Sequence, residues 1–264
     1  MKVRVASAGT GKTTSLVLRY LELIASGTPL RRIAGVTFTR AAADELRQRV
    51  GAGIGDLLKT GQYLTHRLQS QDQSKFEEAK RELDGATLTT IHGFMIESLR
   101  LVAPLMGLDP NFSVLGEWEA KALFEEELKS LLYLAAEPSH GLYSAKMLLG
   151  KNVEPLLLDL FSQRSLAENL KSDEHSTNLA LQKLFEATYK KFEVRLAATL
   201  VPPSEVERRA LKLVRNPNAV ERLAERFKIL LVDEFQDVNP LQGAYFEALE
   251  IGRASCRERV CMLV

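Results

Sequence analysis

The chain has 264 residues, a formal net charge of +1, and a composition that is 45% hydrophobic and 26% charged. This balance is typical of a soluble globular protein and excludes a globally basic one, so any contact with nucleic acid must be local. No apolar stretch approaches the ~20 residues that a membrane span needs, and the N terminus lacks a charged-then-apolar signal pattern. We therefore expect a cytoplasmic protein with no membrane partner.

The first informative segment is a glycine-rich run at residues 6–14, A-S-A-G-T-G-K-T-T. It lies between a predicted strand over residues 2–5 and a predicted helix over residues 13–26. Gly9 and Gly11 favour a tight turn whose backbone N–H groups converge on phosphate oxygens. Lys12 places a charge on the β and γ phosphates, and the Thr13 hydroxyl is a ligand for Mg²⁺. The segment predicts a nucleoside triphosphate site.

Ala6 stands where the common phosphate-loop pattern has its first glycine. The alternative interpretation is a glycine-rich turn without a ligand, and the strand, turn and helix order disfavours it. The predicted nucleotide-binding residues are Ala6, Ser7, Ala8, Gly9, Thr10, Gly11, Lys12, Thr13 and Thr14.

Two β-prone segments each lead into a predicted helix. Residues 33–39 read I-A-G-V-T-F-T and precede an amphipathic helix over residues 40–50, with Thr39 as its N-cap. Residues 86–90 read A-T-L-T-T and lead through I-H-G-F into a helix that ends at Leu101. Ligands collect beyond the carboxyl ends of parallel strands. We therefore expect the ends of both segments to share one sheet edge with the phosphate loop.

The side chains at this edge allow two interpretations. Hydroxyls, helix N termini and backbone amides suit phosphodiester oxygens, while Phe38, His92 and Phe94 are able to stack on bases. Alternatively, both phenylalanines belong to the core and His92 caps a helix. The spacing by itself favours this second, structural interpretation.

Residues 102–227 carry no catalytic signature. They contain predicted amphipathic helices over residues 117–133, 179–196 and 205–214, rich in Glu, Lys and Arg. Breakers such as V-P-P-S and N-P-N separate these helices. The pattern predicts a helical insertion inside the nucleotide-binding lobe.

An acidic motif follows an apolar run near the other end of the chain. Residues 228–232, K-I-L-L-V, predict a parallel strand buried on both faces. Asp233 and Glu234 follow directly, and an acidic pair in that place is often only a solvated strand end. With the phosphate loop upstream, we expect Asp233 to hold Mg²⁺ through water and Glu234 to polarise the water that attacks the γ phosphate.

The tail differs in character from the rest of the chain. Residues 251–261, I-G-R-A-S-C-R-E-R-V-C, are polar, basic and aperiodic, and their codons match a common sequencing adapter. We therefore expect residues 251–264 to be a non-native tail that begins after Glu250. Both cysteines, Cys256 and Cys261, lie in it, so neither a disulfide nor a thiol-metal site is inferred.

Four motifs occur in the order A-S-A-G-T-G-K-T-T, G-V-T-F-T-R-A-A-A-D-E-L, T-T-I-H-G-F and L-V-D-E-F-Q-D. Together they resemble the N-terminal motor lobe of superfamily 1 DNA helicases such as UvrD, Rep and PcrA, with the closest likeness to the RecB and AddA proteins. The resemblance implies an α/β fold, in which a RecA-like P-loop NTPase sheet is flanked by helices and carries a large all-helical insertion. Residues 1–101 and 228–250 would form the core, and residues 102–227 the insertion.

The resemblance also implies ATP and Mg²⁺ as cofactors and gives roles to individual residues. Glu234 would be the catalytic base, Lys12 would act on the phosphates, and Gln236 would sense the γ phosphate and couple it to DNA. Thr13 and Asp233 would hold the metal. The implied contacts with single-stranded DNA are Thr37, Phe38, Thr39, Arg40, His92 and Phe94.

The implied function is an ATP-dependent DNA helicase or translocase that moves 3′ to 5′ and acts in repair or recombination. Its partners would be single-stranded DNA, duplex junctions and a partner subunit of a helicase-nuclease complex. The chain resembles only the first motor lobe, so we expect it to bind Mg-ATP weakly and not to unwind DNA.

Two alternatives remain, a different P-loop enzyme such as a small-molecule kinase and a non-catalytic nucleic-acid-binding module. The T-F-T and I-H-G-F segments disfavour the kinase, as does Gln236. The presence of Lys12, Thr13, Asp233 and Glu234 disfavours the non-catalytic module.

Overall fold

A computed structural model of the chain describes residues 12–163, 176–196, 199–235 and 238–254. The predicted strand over residues 2–5, the loop residues Ala6, Ser7, Ala8, Gly9, Thr10 and Gly11, and the motif residue Gln236 lie outside these ranges. So do residues 255–264 of the predicted tail.

The described residues form two compact units, one from residues 12–106 and 207–254 and the other from residues 107–206. The first unit begins with elements in the following order: α1 (Lys12–Ala25), β1 (Ile33–Thr37), α2 (Arg40–Thr60), β2 (Gln62–Tyr63), β3 (His66–Arg67), α3 (Gln73–Glu82), β4 (Leu88–Thr90) and α4 (Ile91–Leu101).

The second unit and the return to the first contain the remaining elements: β5 (Ser113–Val114), α5 (Glu117–Leu134), α6 (Tyr143–Leu149), α7 (Val153–Ser162), α8 (Ser176–Leu196), β6 (Leu200–Val201), α9 (Pro203–Val214), α10 (Pro217–Arg226), β7 (Ile229–Val232) and α11 (Pro240–Ala254). Short 3₁₀ turns occupy Leu30–Arg32, Ser70–Asp72, Leu83–Gly85, Ala103–Met106 and Gly150–Asn152.

The centre of the first unit is a parallel sheet with strand order β4-β1-β7. Val36 of β1 lies opposite both Thr89 of β4 and Val232 of β7, so the carboxyl ends of the three strands meet at one edge. All five residues of β1 are buried, as expected of a strand covered on both faces. The predicted α/β fold with a parallel sheet flanked by helices is confirmed.

Helix α2 is longer than predicted. Its apolar face continues beyond Val50 through Ile54 and Leu57, which are fully buried against α1. The helix ends at Gly61, whose φ of 73° is left-handed and whose N–H donates to the Leu57 carbonyl at 2.9 Å. The glycines at residues 51, 53 and 55 obscured this continuation in the sequence.

The boundary of the helical unit differs from the predicted range of residues 102–227, because residues 207–227 lie with the first unit. Helix α10 buries Ala219, Val220 and Leu223 and packs against α4 and α11. Its amphipathic pattern resembles that of the insertion helices, so composition alone gives no sign of this assignment.

The second unit is a helical bundle around an aromatic centre. The ring centroids of Phe124 on α5 and Phe161 on α7 lie 4.2 Å apart, and Phe161 is 5.2 Å from Phe192 on α8. Arg195 forms ion pairs with Glu126 and Glu127 on the surface of this bundle.

Among the described helices, none combines the length and apolar character that crossing a membrane requires. Helix α11 extends to Ala254 and therefore includes the first residues of the predicted non-native tail. The origin of that tail stays a prediction.

Candidate functional site

The turn after β1 uses the hydroxyls of both threonines. Thr37 is buried, and its Oγ1 donates to the Thr39 carbonyl oxygen at 2.9 Å. Thr39 Oγ1 accepts from the Ala42 N–H at 3.1 Å, which confirms Thr39 as the N-cap of α2. The structure contradicts the predicted DNA contact for the Thr37 side chain, because it lies inside the turn. Phe38, between the two threonines, is 55% exposed.

The turn after β4 has a similar construction. Thr90 caps α4, with its Oγ1 accepting from the Gly93 N–H at 3.1 Å. His92 follows in the first turn of α4 and is half-buried. Two helix N termini therefore start at adjacent strand ends and present partial positive charge to the same edge of the sheet.

These two turns line one groove of about 670 Å³. Phe38 and Arg40 come from the start of α2, and Thr90 and His92 come from the end of β4 and the start of α4. The structure thus brings together predicted DNA contacts from two separate motifs. The groove also contains two side chains that the motifs did not indicate, Asp44 and Gln242.

Phe94 does not take part in this groove. Its side chain is only 2% exposed and packs in a cluster of aromatic rings, with centroid distances of 5.4 Å to Phe227, 6.4 Å to Tyr245 and 6.3 Å to Phe246. The structure contradicts the predicted base contact of Phe94, and the core interpretation holds for this residue.

The acidic motif lies at the carboxyl end of β7, at the same sheet edge. The Asp233 N–H donates to the Val36 carbonyl at 2.8 Å, and Asp233 Oδ1 accepts from the Glu234 N–H at 3.1 Å. Glu234 has a φ of 53°, which is uncommon for a residue other than glycine. Such backbone strain is concentrated at functional sites in proteins.

The described part of the nucleotide motif is the first turn of α1. Helix α1 begins at Lys12, and Thr13 and Thr14 are half-buried. The threonine hydroxyl and the half-buried carboxylate of Asp233 are hard oxygen donors, which suit Mg²⁺. Within the described ranges, no group of three or more His, Cys, Asp or Glu side chains is arranged to hold a metal ion. Mg²⁺ is usually held by one or two protein oxygens together with phosphates and water, so these residues fit the ion.

Sequence reasoning missed the residues that hold the start of α11. Asn239 and Gln242 form a reciprocal cap around Pro240: Asn239 Oδ1 accepts from the Gln242 N–H at 2.8 Å, and Gln242 Oε1 accepts from the Asn239 N–H at 3.3 Å. The tetrapeptide N-P-L-Q was the available signal, since a polar N-cap followed by proline and then glutamine is typical of a helix start.

Comparison with known proteins gives a consistent result. The model of the UvrD/REP helicase N-terminal domain matches residues 3–262. The A-type component of the ATP-dependent helicase/nuclease of Clostridium novyi is 29% identical over 255 residues, which are 89% of this chain and 19% of that protein.

Two further relatives carry the same name. The protein of Lactobacillus acidophilus is 31% identical over 205 residues, 71% of this chain and 16% of that protein. The protein of Lactobacillus gasseri is 37% identical over 127 residues, 48% of this chain and 10% of that protein. The chain thus matches between 10% and 19% of the length of these three relatives.

Proposed function

Because the chain belongs to the UvrD/REP helicase N-terminal domain family, we propose that it is the ATP-binding lobe of an ATP-dependent DNA helicase or translocase. One observation carries this proposal. The groove that collects Phe38, Arg40 and His92 lies at the same sheet edge as Asp233 and Glu234. A nucleotide site and a nucleic-acid groove on one edge are what an ATP-driven motor requires.

The nucleotide half of the proposal assigns ATP and Mg²⁺ to the first turn of α1 and the end of β7. Lys12 contacts the β and γ phosphates, while Thr13 and Asp233 hold the ion. Glu234 orients and deprotonates the attacking water, and Gln236 senses the γ phosphate. Bound Mg²⁺ neutralises charge on the transferred phosphoryl group.

Residues 6–14 complete the nucleotide site in this proposal. Backbone N–H groups around Gly9 and Gly11 receive the phosphate oxygens. Residues 6–11 fall outside the described ranges, so their assignment rests on the sequence motif.

The nucleic-acid half assigns single-stranded DNA to the groove. The exposed ring of Phe38 stacks on a base, an interaction that tolerates any sequence because every base has a π face. Arg40 and the N-terminal turns of α2 and α4 receive phosphate oxygens. Thr39 and Thr90 contribute through these helix starts, since their hydroxyls already cap them. His92 lines the groove beside Thr90 and contacts the strand there.

The finer features of the parent protein extend this proposal. The relatives are named as components of an ATP-dependent helicase/nuclease, so we place the parent in DNA repair or recombination, with an exonuclease activity and a partner subunit. We assign it 3′ to 5′ movement on single-stranded DNA and action at duplex junctions. The 264-residue chain alone does not unwind DNA, because a second lobe must supply charge stabilisation of phosphoryl transfer, worth about 10³ to 10⁵ in rate in comparable systems.

Binding measurements on the chain itself test the proposal. We expect a fluorescent oligo-dT to bind with an affinity that falls as salt rises, because phosphate contacts release counterions. A fluorescent ATP analogue with Mg²⁺ should bind weakly, and Lys12→Ala should abolish that binding. Strand-separation assays should show no unwinding.

The same measurements separate the alternatives. A small-molecule kinase would bind the nucleotide without binding oligo-dT. A non-catalytic module would bind oligo-dT while Lys12→Ala left nucleotide binding and every other activity unchanged. Robust unwinding by the 264-residue chain would contradict the assignment of a second, required lobe.

A further inference from the structure

The groove wall contains an amide side chain that is held in one orientation. Gln242, in the first turn of α11, lines the groove. Its Oε1 accepts from the Asn239 N–H at 3.3 Å, and its Nε2 donates to Glu207 Oε1 at 2.8 Å. An amide flipped by 180° would place its oxygen against the Glu207 carboxylate, so these partners select a single orientation.

Glu207 holds both members of the α11 cap. Besides receiving the Gln242 amide, its carboxylate accepts from Asn239 Nδ2, at 3.2 Å to Oε1 and 3.4 Å to Oε2. Hydrogen bonds to a charged acceptor are stronger than those between neutral groups. Glu207 itself lies on α9 and does not line the groove.

We propose that Glu207 is a positioning residue for single-stranded DNA binding, which acts by holding the Gln242 amide in the groove wall. The inference rests on the proposed function, because it assigns the groove to DNA. In this arrangement Gln242 presents a fixed polar surface beside the path of the strand, and the carboxylate that orients it stays out of reach of the phosphates.

The sign of the effect distinguishes this role from simple electrostatics. A carboxylate near a phosphate-binding groove repels DNA, so its removal should by charge alone strengthen binding or leave it unchanged. Positioning predicts the opposite, because a released Gln242 side chain samples several rotamers and must be ordered again on binding.

The experiment measures the Kd of a fluorescent oligo-dT at low salt for the 264-residue chain and its variants. We expect Glu207→Ala to raise the Kd by about threefold to tenfold, as for the loss of one or two hydrogen bonds. Glu221→Ala is the matched control, because Glu221 is an exposed carboxylate on α10 without a hydrogen bond or ion pair within the described part of the chain. It should bind as tightly as the unsubstituted chain or slightly more tightly.

A double-mutant cycle identifies the route of the effect. If Glu207 acts through Gln242, then Gln242→Ala should weaken binding and Glu207→Ala should add little in that background. Additive losses would overturn the inference, as would a Glu207→Ala chain that binds as well as the unsubstituted one. If Glu207→Ala does not fold, Glu207→Gln decides, since it keeps the shape and one acceptor oxygen and should produce a smaller loss. Unchanged affinity in a folded Glu207→Gln chain would then overturn it.

Failure of the proposed function gives a different result. In that case the unsubstituted chain does not bind oligo-dT, and the DNA role of both the groove and Glu207 is rejected together. Unchanged binding in the Glu207 variants, with clear binding by the unsubstituted chain, rejects only the positioning role.

Discussion

The Tyr20 hydroxyl on α1 occupies the space above Gly35 on β1. A Cβ at residue 35 would overlap with the hydroxyl oxygen and would lie 2.6 Å from Leu88 Cδ2. Tyr20 is fully buried, and its hydroxyl has no hydrogen-bond partner among the described residues. Burial raises the pKa of this hydroxyl strongly, and the nearby charge of Arg47 lowers it in part. Helix and strand thus approach closely at the expense of one unsatisfied polar group.

Tyr20→Phe should stabilise the chain. A buried hydroxyl without a partner costs about 1–3 kcal/mol, and phenylalanine keeps the ring that packs between α1 and β1. We expect the free energy of unfolding to rise by about 1 kcal/mol, measured by denaturant titration with an unchanged m value. Tyr133→Phe, at a tyrosine that is 82% exposed, is the control and should change little. A clear loss of stability in Tyr20→Phe would mean that the hydroxyl does find a partner.

The stabilisation from Tyr20→Phe should grow in alkaline solution. The folded state holds the Tyr20 proton because its pKa is raised, whereas the unfolded state releases it near the ordinary value of 10.0. Stability from this group is therefore complete below pH 10 and falls as pH rises further. The difference in unfolding free energy between the two chains should be constant at neutral pH and should increase above pH 10. A difference that stayed flat across this range would contradict the burial of the hydroxyl.

Gly35→Ala should destabilise the chain, because the added methyl group overlaps with Tyr20 and crowds Leu88. Overpacking of this kind costs about 1–3 kcal/mol. In a Tyr20→Phe background the loss should be smaller, since one of the two overlapping groups is gone while the contact with Leu88 remains. Thermal melts of the single and double variants measure this. Full additivity of the two substitutions would show that the backbone moves away from the helix.

The comparison of Phe38 with Phe94 shows where sequence reasoning reaches its limit. Both residues follow a strand in a similar motif, and local patterns placed the two strands and the Thr39 cap correctly. Phe94 is buried because Phe227 and Phe246, from the far end of the chain, pack against its ring. No local period encodes that contact. Phe38 meets no such cluster among the described residues and stays exposed.

Long-range partners also explain the other differences. Glu207 and Gln242 come from separate helices, and nothing in either segment indicates that they meet. Helix α10 has the same amphipathic pattern as the insertion helices, yet it packs against α4 and α11. By contrast, the nucleotide motif and the acidic motif are short and contiguous. Their interpretation depends on local spacing, which the sequence does contain.

Alanine substitutions at the two phenylalanines should therefore have opposite consequences. Phe38→Ala removes an exposed stacking surface, so it should weaken oligo-dT binding by about 1–3 kcal/mol with little change in melting temperature. Phe94→Ala leaves a cavity in an aromatic cluster and should cost about 3–5 kcal/mol of folding stability. Anisotropy titrations and thermal melts on both variants measure the two effects. A folded Phe94→Ala chain with normal stability would contradict the core assignment of that ring.

Arg47 joins the helix after one groove motif to the strand before the other. From α2, its Nη1 donates to the Leu83 carbonyl at 2.8 Å, and its Nη2 donates to the carbonyls of Ala86 at 3.2 Å and Leu88 at 3.1 Å. One planar guanidinium thus satisfies several backbone acceptors of the segment that enters β4. This segment leads directly to Thr90, so the position of one groove wall depends on it.

Arg47→Met should destabilise the chain by about 1–3 kcal/mol, because partly buried carbonyls lose a charged donor while the aliphatic packing remains. Arg47→Lys should recover only part of this loss, since a single ammonium cannot match the fork of the guanidinium. Hydrogen exchange should become faster at the Leu88 and Gly35 amides, which lie in and beside this segment. Arg49→Met is the control, because Arg49 pairs with Glu45 on the exposed face of α2 and should contribute about 0.5 kcal/mol or less. Equal effects at the two arginines would show that the carbonyl contacts of Arg47 do not hold the segment.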